Sequence, residues 1–143
     1  GFGGSQASDL LLYSNELILR YKPQKVFIYE GDNDISAGKN PKEILTDIQA
    51  IIQKIRDQNP STKVVLISAK PSIARWNLKK NYKRLNRKFK KLSRKDADLL
   101  YVDVWKPMLN GRKLMQDLFI EDGLHMNTKG YAIWYEVIKP FVN

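Results

Sequence analysis

The residues Val26-Phe27-Ile28-Tyr29-Glu30-Gly31-Asp32-Asn33-Asp34 open with four apolar side chains in succession and close in a turn-forming cluster. A run that short, apolar at consecutive positions, reads as a strand buried on both faces, and Gly, Asp and Asn supply the chain reversal after it. Downstream, Asn40-Pro41-Lys42-Glu43 is a helix start: a capping amide, a proline in the first turn and an early acidic residue. Ile44, Ile48, Ile51 and Ile55 give that helix one apolar face, and Asn59-Pro60 ends it. Val64-Val65-Leu66-Ile67 repeats the strand signature and Lys70-Pro71 closes it. A third strand is expected at Leu99-Leu100-Tyr101-Val102 with Val104. Between the second and third strands, Leu78, Tyr82, Leu85, Phe89 and Leu92 alternate four- and three-residue steps, which is the stripe of an amphipathic helix.

Working toward the ends, Ser8-Asp9 precedes Leu10, Tyr13, Leu17 and Tyr21 at helical spacing, and Lys22-Pro23 stops that segment. Asn110-Gly111 marks a turn, Glu121-Asp122-Gly123-Leu124-His125 a loop, and Thr128 is placed to cap a last helix presenting Tyr131, Trp134, Tyr135 and Ile138. Strands alternating with amphipathic helices specify an α/β domain, a mainly parallel sheet between two helical layers. Ligand sites in such sheets gather beyond the carboxyl ends of the strands. Three strands are few for a sheet of this type, so something is expected to be missing at the front.

Length and composition agree with one globular unit over residues 1–143. Hydrophobic residues make up 43% and charged residues 28% of the chain, which excludes a disordered polymer, and no run of 18 apolar residues offers a membrane span. Cysteine is absent, which removes disulfides, thiol nucleophiles and thiolate metal sites. The net charge of +10 is local: 11 of the 25 basic residues fall between Arg75 and Lys95, where no acidic residue occurs. A basic helix with Trp76 and Tyr82 nearby raises the alternative of an anionic-polymer or membrane-surface binding module. Tyr82 belongs to the apolar stripe, however, and no nucleic-acid motif accompanies the helix, so nucleic acid is a disfavoured partner. The compartment is not fixed by these residues, an extracytoplasmic or periplasmic one being compatible with them.

Three segments carry candidate chemistry. His125 is the sole histidine, with Asp122 three positions earlier and Gly123 giving the loop freedom to bend. A catalytic imidazole needs a carboxylate at one ring nitrogen to fix its tautomer, and this spacing supplies one locally. A surface histidine beside a turn aspartate is the bland alternative. Asn33, directly after the first strand, carries an amide able to donate to a developing oxyanion, though Gly31-Asp32-Asn33-Asp34 also suits a plain turn. Asp32, Asp34, Ser36 and Glu43 mimic an EF-hand count, but Ala37 stands where that loop needs glycine and a strand precedes it. Gly1-Phe2-Gly3-Gly4-Ser5 lacks the lysine of a P-loop and the pattern of a dinucleotide site.

Together these pieces resemble the GDSL, or SGNH, hydrolase family. Phe2-Gly3-Gly4-Ser5 resembles its glycine block, Gly31-Asp32-Asn33-Asp34 its G-x-N-D block and Asp122-Gly123-Leu124-His125 its D-x-x-H block, in family order. The resemblance implies a three-layer, flavodoxin-like fold and a serine ester hydrolase without metal or organic cofactor. His125 and Asp122 would serve the serine, while Gly4 and Asn33 would line the oxyanion hole; Arg75 and Trp76 are candidate cleft residues. The family's Gly-Asp-Ser block is absent: Ser5, Ser8, Ser14, Ser36, Ser61, Ser68, Ser72 and Ser93 all lack its context. The nucleophile, with the first two strands, is therefore expected upstream of Gly1. A missing N-terminal segment, or another chain, would complete the sheet, and residues 1–143 alone should be inactive and unable to form a self-sufficient monomer. The expected substrate is a small ester or an acylated carbohydrate or lipid. A non-catalytic carbohydrate- or lipid-binding relative is the other reading.

Overall fold

The computed structural model describes residues 24–142. The expected helix around Leu10–Tyr21 and the glycine block with Gly4 lie outside the described residues. Three strands, β1 (Lys25–Ile28), β2 (Lys63–Ile67) and β3 (Leu99–Val102), form one sheet in the order β1-β2-β3. Both pairings are parallel, with Val26 opposite Val64 and Val64 opposite Leu99. The sequence places Tyr29 in the first strand, whereas pairing stops at Ile28 and the tyrosine swings toward the site. Among the described residues β1 is an edge strand, paired with β2 alone.

Between the strands lie α1 (Asp32–Ser36), α2 (Pro41–Gln58) and α3 (Lys79–Arg94). The start of α2 follows its sequence: the Asn40 side chain accepts the Glu43 N–H at 2.9 Å, and Pro41 takes the position whose own N–H would lack an intrahelical partner. Ile44, Ile48 and Ile51 are wholly buried, each worth roughly 1.5–3 kcal/mol of hydrophobic stabilisation. Both long helices cover the same sheet face, because successive crossovers of one hand, stepping the same way across a sheet, stay on one side. The core on that side joins Val26, Ile28, Val64 and Leu66 to the isoleucines of α2 and to Tyr82, Leu85 and Phe89 of α3. Side chains alternate along a strand, so Val65, Ile67 and Val102 face the opposite layer. There α4 (Thr128–Ile138) packs through Trp134, Val137 and Ile138. A short hairpin, β4 (Leu109–Asn110) with β5 (Lys113–Leu114), turns at Gly111.

Three further local expectations need correction. Gly31-Asp32-Asn33-Asp34 reads as a turn, whereas Asp32–Ser36 form the helix α1. Asn127 rather than Thr128 caps α4, accepting the Gly130 N–H at 3.1 Å. Tyr131 and Tyr135 are 58% and 66% exposed, so the inner face of α4 is Trp134, Val137 and Ile138 instead. The stripe of α3 holds at Tyr82, Leu85 and Phe89, but it also contains buried Asn86. This amide accepts the Ala69 N–H at 2.8 Å and donates to the Ala69 carbonyl at 3.0 Å, clamping the backbone just beyond β2.

Candidate active site

Gly31 initiates the site. Its φ of +122° suits glycine, and a side chain there would place a Cβ 2.7 Å from Leu85 Cδ2. The chain can therefore leave β1 pressed against α3, which presents Asp32 and Asn33 at the strand's carboxyl end. Asp32 is buried and meets partners from three elements. Its Oδ1 accepts from the Arg75 guanidinium at 2.7 Å and the Tyr82 hydroxyl at 2.5 Å. Its Oδ2 accepts from the Tyr29 hydroxyl at 3.1 Å and lies 3.6 Å from Lys70 Nζ. Burial, reinforced by the Asp32 charge, pushes both tyrosines well above their ordinary pKa, so both remain donors. A carboxylate already faced by two cations is poorly suited to ligate calcium.

Arg75 also donates to Asn33 Oδ1 at 3.1 Å. A guanidinium only donates, so this contact fixes which end of the amide is oxygen and turns the Nδ2 hydrogens the other way. The arginine thus links Asp32 to Asn33. Trp76 stacks on Trp105 with ring centroids 5.8 Å apart, and it sits half-buried at the head of α3.

The second part of the site is the loop carrying Asp122 and His125. Asp122 Oδ1 accepts the backbone N–H groups of Leu124 and His125, both at 2.9 Å, while Oδ2 lies 2.5 Å from His125 Nδ1. The His125 contact, helped by those two N–H groups, lowers the Asp122 pKa to about 2. An ionised carboxylate accepts, so Nδ1 carries the proton of this contact and Nε2 is the ring nitrogen left for another partner. His125 itself is exposed.

This loop is docked rather than loose. Gly123 has φ +66°, its carbonyl accepts the Ala74 N–H at 2.9 Å, and an added Cβ would lie 3.2 Å from Ile73 Cβ. Lys70 completes the docking: its Nζ donates to the Leu124 carbonyl at 2.7 Å. One buried ammonium therefore touches both the carboxylate preceding Asn33 and the carbonyl preceding His125. Desolvation lowers its pKa, against the opposing pull of Asp32. The sequence reading treats Lys70 only as part of a strand terminator; a lysine directly before proline, just beyond a buried strand, is the available signal. Of the sequence-named residues, Asn33 and Arg75 form one cluster and Asp122 and His125 another, and Lys70 ties the two together.

A protein-family model of the GDSL-like lipase/acylhydrolase family matches residues 1–133. The chain belongs to this family. Solved structures agree in fold. A protein from Streptococcus pneumonia provisionally described as a platelet activating factor superposes with a TM-score of 0.87 at 22% identity, over 98% of this chain and 69% of that one. A carbohydrate esterase family 3 protein from Talaromyces cellulolyticus gives 0.83 at 22% identity, covering 97% and 67%. A GDSL-like lipase from Bacteroides thetaiotaomicron gives 0.83 at 22% identity, covering 96% and 71%. Among curated proteins none matches the sequence. Family membership supports hydrolysis of ester substrates by this GDSL-family protein, and the three-layer parallel fold agrees with its structural neighbours.

Proposed function

We propose that the complete protein is a serine ester hydrolase in which His125 is the general base and acid, Asp122 orients it, and the nucleophilic serine comes from outside residues 1–143. The observation that carries this reading is the 2.5 Å contact between Asp122 Oδ2 and His125 Nδ1, which leaves Nε2 to serve the serine. The serine oxygen attacks the ester carbonyl carbon as its proton passes to Nε2. The resulting oxyanion accepts hydrogen bonds from the Asn33 amide and the Gly4 N–H. Collapse breaks the bond to the alcohol oxygen, which leaves with the proton from His125. Water, activated by the same imidazole, then attacks the acyl-enzyme and releases the carboxylic acid and free serine. Each oxyanion donor contributes about 2.7–4 kcal/mol in the transition state. On this reading an upstream strand, or one from another chain, pairs with the outer edge of β1. A small ester or an acylated carbohydrate or lipid is the substrate.

The test uses the full-length protein with a panel of p-nitrophenyl esters. His125→Ala is expected to lower kcat by at least 10²–10⁴, and Asn33→Ala by roughly 10²–10³, with native circular dichroism retained. A serine-reactive phosphonate should label a residue outside 1–143. Label on one of the eight serines within the chain overturns the assignment of the nucleophile, and activity indifferent to His125 overturns the mechanism.

A further inference from the structure

A cavity of about 430 Å³ opens beside the Asp122–His125 loop, and its walls come from three separate elements. Ile73 and Trp76 form the side nearest the loop, Lys79 comes from the first turn of α3, and Arg112 and Lys113 come from the β4–β5 hairpin. Ile73 is the residue against which Gly123 packs, so a group held in this cavity lies next to the loop bearing His125. No aspartate or glutamate lines it. Lys79 Nζ sits 5.0 Å from the Trp76 ring centroid, and among the described residues neither it, Arg112 nor Lys113 has a carboxylate within salt-bridge distance. Three cations converging on one cavity repel each other unless an anion sits among them. Trp76 adds an apolar wall against which the body of a sugar or polyol carrying that anion can pack.

We propose that this cavity is the subsite for the alcohol portion of the substrate, and that the natural ester is borne on an anionic carrier whose carboxylate or phosphate lies among Lys79, Arg112 and Lys113. This rests on the esterase reading for its meaning but not for its measurement. Trp76 flanks the carrier, and the basic face of α3 beyond Lys79 raises the local concentration of such molecules. A nucleic acid is a poorer fit, since one face of Trp105 is covered by Trp76 and the pair offers no open stacking platform there.

The experiment compares kcat/KM of the full-length protein for an O-acetylated oligogalacturonide, an O-acetylated sugar phosphate and an O-acetylated neutral xylo-oligosaccharide. In parallel, binding of the corresponding unacetylated compounds is measured by calorimetry. The better anionic ester should exceed the neutral one by about tenfold at low salt, and Lys79→Ala/Arg112→Ala/Lys113→Ala should erase that ratio, since exposed pairs contribute a few-fold each. Raising ionic strength should shrink it as well. Whether the uronate or the phosphate is preferred identifies the source of the charge. A ratio near one, or a ratio the triple variant leaves intact, overturns the proposal. If no ester is cleaved but the anionic sugars bind and the triple variant loses them, the subsite stands and the esterase reading falls. Lys42→Ala, on the exposed face of α2 and outside the cavity, is the control for removing a remote surface charge.

Discussion

Lys70→Met in the full-length protein isolates the buried ammonium that joins the two halves of the site. The substitution keeps an unbranched, similarly sized side chain and removes the donor to the Leu124 carbonyl at 2.7 Å and the cation 3.6 Å from Asp32. A hydrogen bond from a charged group is worth about 1.5–3 kcal/mol net. Stripping a buried ion pair of one partner costs about 3–5 kcal/mol when nothing else compensates. Here Arg75, Tyr82 and Tyr29 still satisfy Asp32, so that loss is much smaller, and relief of the lysine's own desolvation offsets part of the rest. The net expectation is roughly 1.5–3 kcal/mol of destabilisation. With urea slopes of about 1–3 kcal/mol/M, the unfolding midpoint moves down by about 1 M. A purely structural lysine would change no more than this. Because Lys70 also sets the carbonyl preceding His125, kcat per folded molecule should fall about 10- to 100-fold with KM within about twofold, as small displacements of a reacting group do. A midpoint shift below about 0.2 M together with unchanged kcat would refute the bridging role.

Gly123→Ala forces a left-handed backbone onto a side chain and pushes its Cβ toward Ile73, so a loss of about 1–2 kcal/mol in urea unfolding and a lower kcat are expected; unchanged values would show that the loop relaxes freely. Asn86→Ala strips two buried backbone groups of Ala69 of their partner, an expected loss of about 2–4 kcal/mol by the same assay, and a shift under 0.5 kcal/mol would contradict the clamp. The Asp122 carboxyl, held at about 2, lies below its unfolded value near 3.9. Its stabilising contribution is therefore complete above the ordinary carboxylate range and disappears as pH falls through that range toward 2. A carbon-detected NMR titration should give that midpoint, and a value of 4 or above would mean that the His125 contact does not persist in solution.

The parts legible in the sequence were those with local causes. The cap and isoleucine face of α2, the apolar runs of β2 and β3, and the D-x-x-H spacing each depend on residues within about one helical turn of one another. Lys70 and Asp32 are different. A lysine after a strand and an aspartate after a glycine read as solvated turn residues, because such groups are almost never buried without partners. Apart from Tyr29, three positions before Asp32, their partners lie 38 or more positions away, on each other's loops, at the head of α3 and in it, and on the His125 loop, and no pattern confined to one segment carries that information. The face of α4 was legible only at Trp134 and Ile138, for another reason. Tyr131, Trp134, Tyr135 and Ile138 are all apolar enough to pack, and only the geometry of the sheet chooses between Tyr135 and Val137.

The three-residue separation of Asp122 and His125 has a consequence for how the site tolerates movement. Where a carboxylate and an imidazole arrive from distant segments, any shift between those segments changes the proton's position on the ring. Here both ride on one tight turn, closed by the two backbone N–H bonds to Asp122 and by the Gly123 N–H to the Ile120 carbonyl at 3.0 Å. Any displacement that the Lys70 and Ala74 anchors allow therefore carries carboxylate and imidazole together, and the contact between them is kept. In the esterase proposed above, small movements of the loop would alter the distance over which the proton travels and leave unchanged which nitrogen receives it.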